Sequence, residues 1–365
     1  MAEVVYDGDG LVELKDIDPS VRPIVDTAEA LIGKKRSSHG EIIVTLFELC
    51  NLTCKFCNQD HATDFGMNAI RNKLKDVIKA IELLQKMRKD HFSINLMGGE
   101  LFMDSISDEV FEDYRGLVLD IHAYAVQRGI EISYTFVTNL VHFNTARVKR
   151  LIDGLRADGV DVDLGTSYDP AARFNASNLL VFRRNAEIYL EYLSVVNVVM
   201  TAPSIRKFLS GNIPHFDFLY ENFDIYFDYY TLEDNWETMF PKDAEMRDLL
   251  VYLVEHYPNT HPVKTYREND SNSMSCQNTY TILPDGKAGR CTVFLNSWHK
   301  DRMPKTAGEL EFDFLDARDC MSCEYFTRCG LGCYVQQNFN GPARSMNYCW
   351  MKDVHKKVDE VKGVR

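Results

Sequence analysis

No stretch of the 365 residues approaches the roughly 20 consecutive apolar residues needed to cross a bilayer. The first ten residues, MAEVVYDGDG, have neither the basic start nor the apolar core of a signal peptide. Both absences lead to the expectation of a cytoplasmic protein. A surplus of positive charge is also missing: the formal net charge is −13, which argues against broad contact with a phosphate backbone and leaves room only for a local basic patch or a modified nucleobase. There is no P-loop, no G-x-G-x-x-G and no G-x-S-x-G, so the simplest sequence routes to phosphate transfer, dinucleotide binding and serine hydrolysis are closed. Internal repeats and low-complexity tracts are absent as well. What remains, 45% apolar and 26% charged, is the composition of an ordinary globular chain.

The ten cysteines are the informative part, and none is left over from two spacing patterns. Cys50, Cys54 and Cys57 form C-x3-C-x2-C. Cys276, Gly286 and Cys291 form C-x9-G-x4-C, and Cys320, Cys323, Cys329 and Cys333 form C-x2-C-x5-C-x3-C, followed by Cys349. In a reducing compartment, cysteines grouped in this way are metal ligands rather than disulfides. Thiolates at short fixed spacing hold iron–sulfur clusters or zinc. A trio is one ligand short for a four-iron cluster, which leaves one iron open. With His61 the same trio also makes a Cys3His zinc set, and the later cysteines suit a double zinc ribbon.

Between residues 41 and 261 strand and helix patterns alternate. Apolar runs predict strands over Glu41–Phe47, Phe92–Met97, Ile132–Val137, Val160–Tyr168, Val195–Thr201 and Ile225–Tyr230. Helical periodicity predicts helices over Asn68–Asp90, Asp108–Arg128, Thr145–Arg156, Leu179–Leu193, Phe216–Glu221 and Ala244–His256. Six such units call for parallel strands with helical crossovers, an α/β fold best described as a partial (β/α)6 barrel. The expected organisation is an N-terminal extension over 1–40, the barrel over 41–261, a small cysteine-rich domain over 262–350 and a tail over 351–365. Ligands in such sheets gather at the C-terminal strand ends. The trio and Gly98-Gly99-Glu100 both fall there. On the last strand, Asp228 and Tyr230 are expected to share a face and address a substrate, or else to belong to a buried aromatic strand.

These motifs resemble those of the radical S-adenosyl-L-methionine (SAM) superfamily. The resemblance is carried by C-x3-C-x-Φ-C, with Phe56 as Φ, and by Gly98-Gly99-Glu100 at the end of the second strand. Thr138-Asn139 resembles the family's Thr-Asn-Gly, with Leu140 in place of the glycine. Ser167-Tyr168-Asp169 resembles its Ser-x-Asp-Gly, with Pro170 in place of the glycine. The resemblance implies a [4Fe–4S] cluster on Cys50, Cys54 and Cys57 whose open iron chelates SAM. It further implies that Phe56, Gly98, Gly99, Glu100 and Asn139 surround the cofactor, with Ser167 at its ribose and Arg173 a candidate for its carboxylate.

The C-terminal pattern is similar to that of the SPASM domain, including Ile282-Leu283-Pro284-Asp285-Gly286 before Cys291. That similarity implies two auxiliary [4Fe–4S] clusters, three in all. Cys276, Cys291 and Cys333 would hold the first, and Cys320, Cys323, Cys329 and Cys349 the second. Asp270 stands where some relatives carry a further cysteine, so the first auxiliary cluster is expected to have a fourth site that is not cysteine.

The function implied is reductive cleavage of SAM to a 5′-deoxyadenosyl radical that abstracts a substrate hydrogen, as an oxidoreductase or an isomerase. The substrate expected from the SPASM resemblance is a peptide or protein side chain, to be cross-linked or oxidised. The alternative is dehydrogenation, epimerisation or isomerisation of a nucleoside, a sugar or an amino-acid-modified nucleobase. The implied partner is an external one-electron donor such as flavodoxin or ferredoxin. A zinc-stabilised binding protein is the reading from another class.

Overall fold

The computed structural model describes residues 4–6, 12–14, 38–57, 59, 61–62, 66–87, 89–230, 236–268, 279–290, 295, 318–329 and 349–363. Cys276, Cys291, Cys333 and Asp270 lie outside the described residues.

Six strands follow the alternation read from the sequence: β1 (His39–Thr45), β2 (His91–Met97), β3 (Glu131–Thr138), β4 (Asp161–Tyr168), β5 (Leu193–Met200) and β6 (Asp224–Tyr229). They pair in chain order and all in parallel. Parallel neighbours need crossovers, supplied by α1 (Lys73–Lys86), α2 (Asp108–Arg128), α3 (Thr145–Ala157), α4 (Ala176–Ile188), and a last crossover of α5 (Ala202–Leu209) and α6 (Phe216–Asn222). Two further strands extend the sheet. β7 (Thr279–Ile282) lies parallel to β1 on its free side, and β8 (Ala288–Gly289) pairs antiparallel with β7, giving a sheet of eight strands among the described residues. Strands from both halves of this sheet line one cavity, so it curls into a partial barrel.

The period-two pattern of the strands assigns the two faces. Ile42, Val44, Ile94, Leu96, Phe136, Leu164, Val196, Val198 and Ile225 are all buried against the helices. Removing each such side chain from water contributes about 1.5–3 kcal/mol. The alternate residues, among them Glu41, Asn95, Thr135, Asn197 and Asp228, line the interior. A barrel that is apolar outside and polar within keeps a lumen for a polar occupant.

Several expectations need correction. The first helix does not run over Asn68–Asp90. A 3-10 segment, Met67–Asn72, precedes α1, where Lys73 Nζ donates to the carbonyls of Leu283 (2.7 Å) and Pro284 (3.0 Å). α4 begins earlier than Leu179, because Asn175 caps it by accepting from Asn178 N at 2.8 Å. It ends before Leu193, which the β5 ladder takes. Within 1–40, Val4–Tyr6 and Val12–Leu14 pair as an antiparallel ribbon, and His39-Gly40 already belongs to β1. β7 carries the barrel sheet beyond the boundary expected near 262.

Within the expected C-terminal tail, Met351–Lys362 is helical. α9 (Met351–Lys362) buries Met351, Val354, His355 and Val358 at helical spacing and packs on α7 (Asp243–His256) and α8 (Val263–Glu268). Lys357 pairs with Glu255 at 2.5 Å, and Arg328 pairs bidentately with Asp359 at 2.7 and 2.5 Å. No helix of the described residues is long and apolar enough to cross a membrane.

Candidate functional site at the strand ends

The chain leaves β1 through Leu46–Leu49 and enters the loop of the cysteine trio. That loop is closed on itself, since Cys50 N donates to the His61 carbonyl at 3.0 Å and Cys57 N to the Cys54 carbonyl at 3.1 Å. It is tied to the loop after β4 by Lys55 N donating to the Ala172 carbonyl at 3.3 Å.

The loop after β2 runs alongside. Gly99 N donates to the Phe47 carbonyl and Glu100 N to the Leu49 carbonyl, both at 2.9 Å. This close approach is what requires glycine at 99: a Cβ there would stand 2.0 Å from the Leu49 carbonyl oxygen and 2.3 Å from that of Glu48. Gly99→Ala should therefore push the trio's loop off β2 and destabilise the fold by about 3 kcal/mol. Wild-type melting behaviour and metal uptake in that variant would refute the account.

Glu100 is placed differently from the expectation that it meets a ligand. Its side chain is only 1% exposed and does not line the cavity. The carboxylate instead accepts from Phe102 N (2.9 Å), Thr138 Oγ1 (2.7 Å) and Asn139 N (2.5 Å). Burial pushes its carboxyl up from the usual range, and these donors pull it back. Glu100 thus fastens the loop after β3 to the loop after β2.

Asn139 passes the constraint on, because its Nδ2 donates to Asn51 Oδ1 at 2.7 Å and lies 3.8 Å from Cys50 Sγ. Asn51 Nδ2 in turn donates to the Val141 carbonyl at 2.6 Å. Asn51 was not expected at the site; only its place beside Cys50 could have suggested it. Leu140, standing where the family's motif has glycine, adopts the left-handed backbone at φ 58°. Leu140 N donates to Thr138 Oγ1 (3.1 Å), and its carbonyl accepts from Asn185 Nδ2 (2.8 Å). Those bonds and full burial of the side chain offset the roughly 1–2 kcal/mol cost of that conformation.

One cavity of about 1330 Å³ brings these elements together. Cys50, Cys54, Cys57, Phe56, Gly98, Gly99, Asn139, Ser167 and Arg173 all line it, and Asp228 lies further along its wall. Tyr230 does not share the face of Asp228. β6 ends at Tyr229, the alternation stops there, and Tyr230 is buried with Met239 against Phe56, Ala172, Val199 and Phe240.

Burial pushes all three thiols of the trio up, that of Cys57 to about 12, so metal entry must displace protons. Arg173 is the cation that opposes this shift at each of them. Two buried nitrogens of cavity-lining residues, His61 Nδ1 and Arg173 Nε, lack any partner. Three soft thiols, an adjacent guanidinium and backbone open at two glycines fit an iron–sulfur cluster together with a ligand carrying a carboxylate. Among the described residues no three His, Cys, Asp or Glu side chains converge as ligands of a single metal ion would.

Deeper in the lumen Glu41 is clamped by Asn95 Nδ2 (2.7 Å) and Thr279 Oγ1 (2.8 Å). Asp228 is reached by water through the cavity. Its enclosure by the barrel, with Glu41 nearby, pushes its carboxyl up to about 7.

A second group forms where α9 begins. Cys320, Cys323, Cys329 and Cys349 line one small pocket with Arg318 and His355. Arg318 Nη1 lies 3.7 Å from Cys349 Sγ, and burial pushes the Cys320 thiol up to about 11, with Cys349 and Cys323 adding to the shift.

No protein-family model matches the chain. No curated protein matches it either. Among solved structures the chain is similar to anSMEcpe with bound AdoMet, at 14% identity and a TM-score of 0.57 over 88% of this chain and 96% of that one. HydG, a maturase of the [FeFe]-hydrogenase, aligns at 10% identity and a TM-score of 0.40, over 96% and 88% of the two chains. HemN from Escherichia coli, coproporphyrinogen III oxidase and a radical SAM enzyme, aligns at 12% and 0.37, over 70% and 65%. The first of these likenesses shows the fold: a partial barrel of the kind found in a protein that binds AdoMet.

Proposed function

We propose that this chain is a radical SAM enzyme. The observation that carries the reading is the single cavity at the strand ends, lined by Cys50, Cys54, Cys57, Gly98, Gly99, Asn139, Ser167 and Arg173. The three thiolates would hold a [4Fe–4S] cluster and leave one iron without a protein ligand. When bound, the cluster and SAM supply one-electron cleavage of SAM and removal of hydrogen from a substrate C–H. The protein's own share is placement. Gly98 and Gly99 allow the cofactor against the backbone, Arg173 offers a guanidinium to a carboxylate, and Ser167 offers a hydroxyl. The barrel wall holds the substrate and keeps bulk water away.

The C-terminal cysteines are read as SPASM ligands, with the second auxiliary cluster on Cys320, Cys323, Cys329 and Cys349. Their common pocket supports that assignment. The first auxiliary cluster is assigned to Cys276, Cys291 and Cys333. An external flavodoxin or ferredoxin would supply the electron, in a cytoplasmic setting.

For the substrate, the SPASM pattern favours a peptide or protein side chain, cross-linked or oxidised. The polar lumen favours a second reading: Glu41, Asp224 and Asp228 line its depth, suited to a small polar molecule or one carrying a cationic group. Reduced enzyme given SAM should form 5′-deoxyadenosine, read by chromatography. The rate should rise with either the peptide fraction or the small-molecule fraction of a cell extract, which separates the two substrate readings. Iron-loaded, reduced protein that binds SAM and never cleaves it would overturn the assignment.

A further inference from the structure

His355 lies on the first turns of α9 with its side chain fully buried, and neither ring nitrogen has a hydrogen-bond partner. Its ring is held from two sides, stacked on Tyr325 at 5.3 Å and 16° and packed 5.0 Å from Tyr266. Whatever its tautomer or charge, an imidazole carries at least one N–H. A buried donor without an acceptor is rare in a folded protein and calls for an explanation. The residues with which His355 shares its pocket supply one, since Cys320, Cys323, Cys329 and Cys349 line it too. Arg318 already approaches Cys349 Sγ there, at 3.7 Å.

We propose that His355 donates a hydrogen bond to a sulfur of the cluster held by Cys320, Cys323, Cys329 and Cys349, and that this bond sets the cluster's reduction potential. The proposal rests on reading those four cysteines as cluster ligands. His355 is a positioning and tuning residue here, not a ligand. Donors to cluster sulfurs stabilise the reduced, more negative state and raise the potential. Tyr325 and Tyr266 fix the ring, so the donor needs no reorganisation when an electron arrives.

The test uses the full chain carrying Cys50→Ala, Cys54→Ala and Cys57→Ala, reconstituted anaerobically with iron and sulfide so that the trio adds no signal. Iron that disappears when Cys320→Ala and Cys323→Ala are added belongs to the four-cysteine site. If none disappears, the cluster reading fails and the proposal with it. With that iron present, His355→Phe keeps an aromatic ring in the stack but has no N–H. It should make the cluster about tenfold harder to reduce, which is 59 mV for one electron, in a titration followed by electron paramagnetic resonance. His355→Gln, which restores an N–H, should recover most of the shift. An unchanged potential in His355→Phe with full iron content overturns the proposal alone and leaves the cluster reading standing. A folding defect in the Phe variant is met with the unmutated residue. Histidine labelled with nitrogen-15 should show magnetic coupling to the reduced cluster, together with a proton that exchanges in D2O. Absence of both couplings overturns the proposal.

Discussion

Anaerobically reconstituted protein with alanine at Cys50, Cys54 and Cys57 should hold about eight irons where the parent holds about 12, and should form no 5′-deoxyadenosine on reduction. The expectation follows from two separate sets of thiols, the trio at the barrel mouth and the later cysteines, four of which share a pocket beside α9. Because the trio's loop is held by backbone bonds to His61 and Ala172 rather than by the thiols, the variant should remain folded and keep its other clusters. Circular dichroism and iron analysis check both halves of the statement. Two zincs and negligible iron in anaerobically prepared parent protein would end the radical reading.

Glu100→Ala should act on the fold before it acts on any ligand. The substitution removes the acceptor of three buried donors, Phe102 N, Thr138 Oγ1 and Asn139 N. An orphaned buried donor costs about 1–3 kcal/mol, so the loss should come to about 3 kcal/mol or more. In a chain of this length that corresponds to a fall in melting temperature of roughly 4 °C or more. Because Asn139 holds Asn51 and approaches Cys50, the same variant should also lose iron from the trio. Glu100→Gln should be milder, keeping one acceptor oxygen but setting an amide N–H₂ against a donor. A Glu100→Ala protein that melts like the parent and has lost only affinity for SAM would restore direct contact as the role of this carboxylate.

The contrast between Glu100 and its neighbours shows what could be read in advance. Gly98 and Gly99 line the cavity because a glycine's role is in the backbone, and backbone position follows from the strand ending at Met97. A carboxylate has a rotatable side chain, and its direction was decided by donors that arrive from β3, some 38 residues further along the chain. Tyr230 gives the same lesson on a smaller scale. Alternation predicts a shared face with Asp228 only while the strand lasts, and pairing with β5 ends at Tyr229. In the same way, α9 brings Cys349 and His355 into the pocket of the other three cysteines through packing on α7 and the Arg328–Asp359 pair.

By itself, the sequence determined the order of strands and helices, since period-two and period-3.6 apolar patterns are local properties of the chain. It also marked Cys50, Cys54 and Cys57 as one set and Cys320, Cys323 and Cys329 as another, because spacing within a loop is local too. The tertiary structure alone decided how Glu100, Asn139 and Asn51 fasten three loops around the trio, and which polar residues face the lumen. It also decided that a histidine donor stands buried beside the second set of cysteines. Those outcomes depend on contacts between segments far apart in the chain, where the direction of a side chain is chosen by the partner that satisfies its hydrogen bonds.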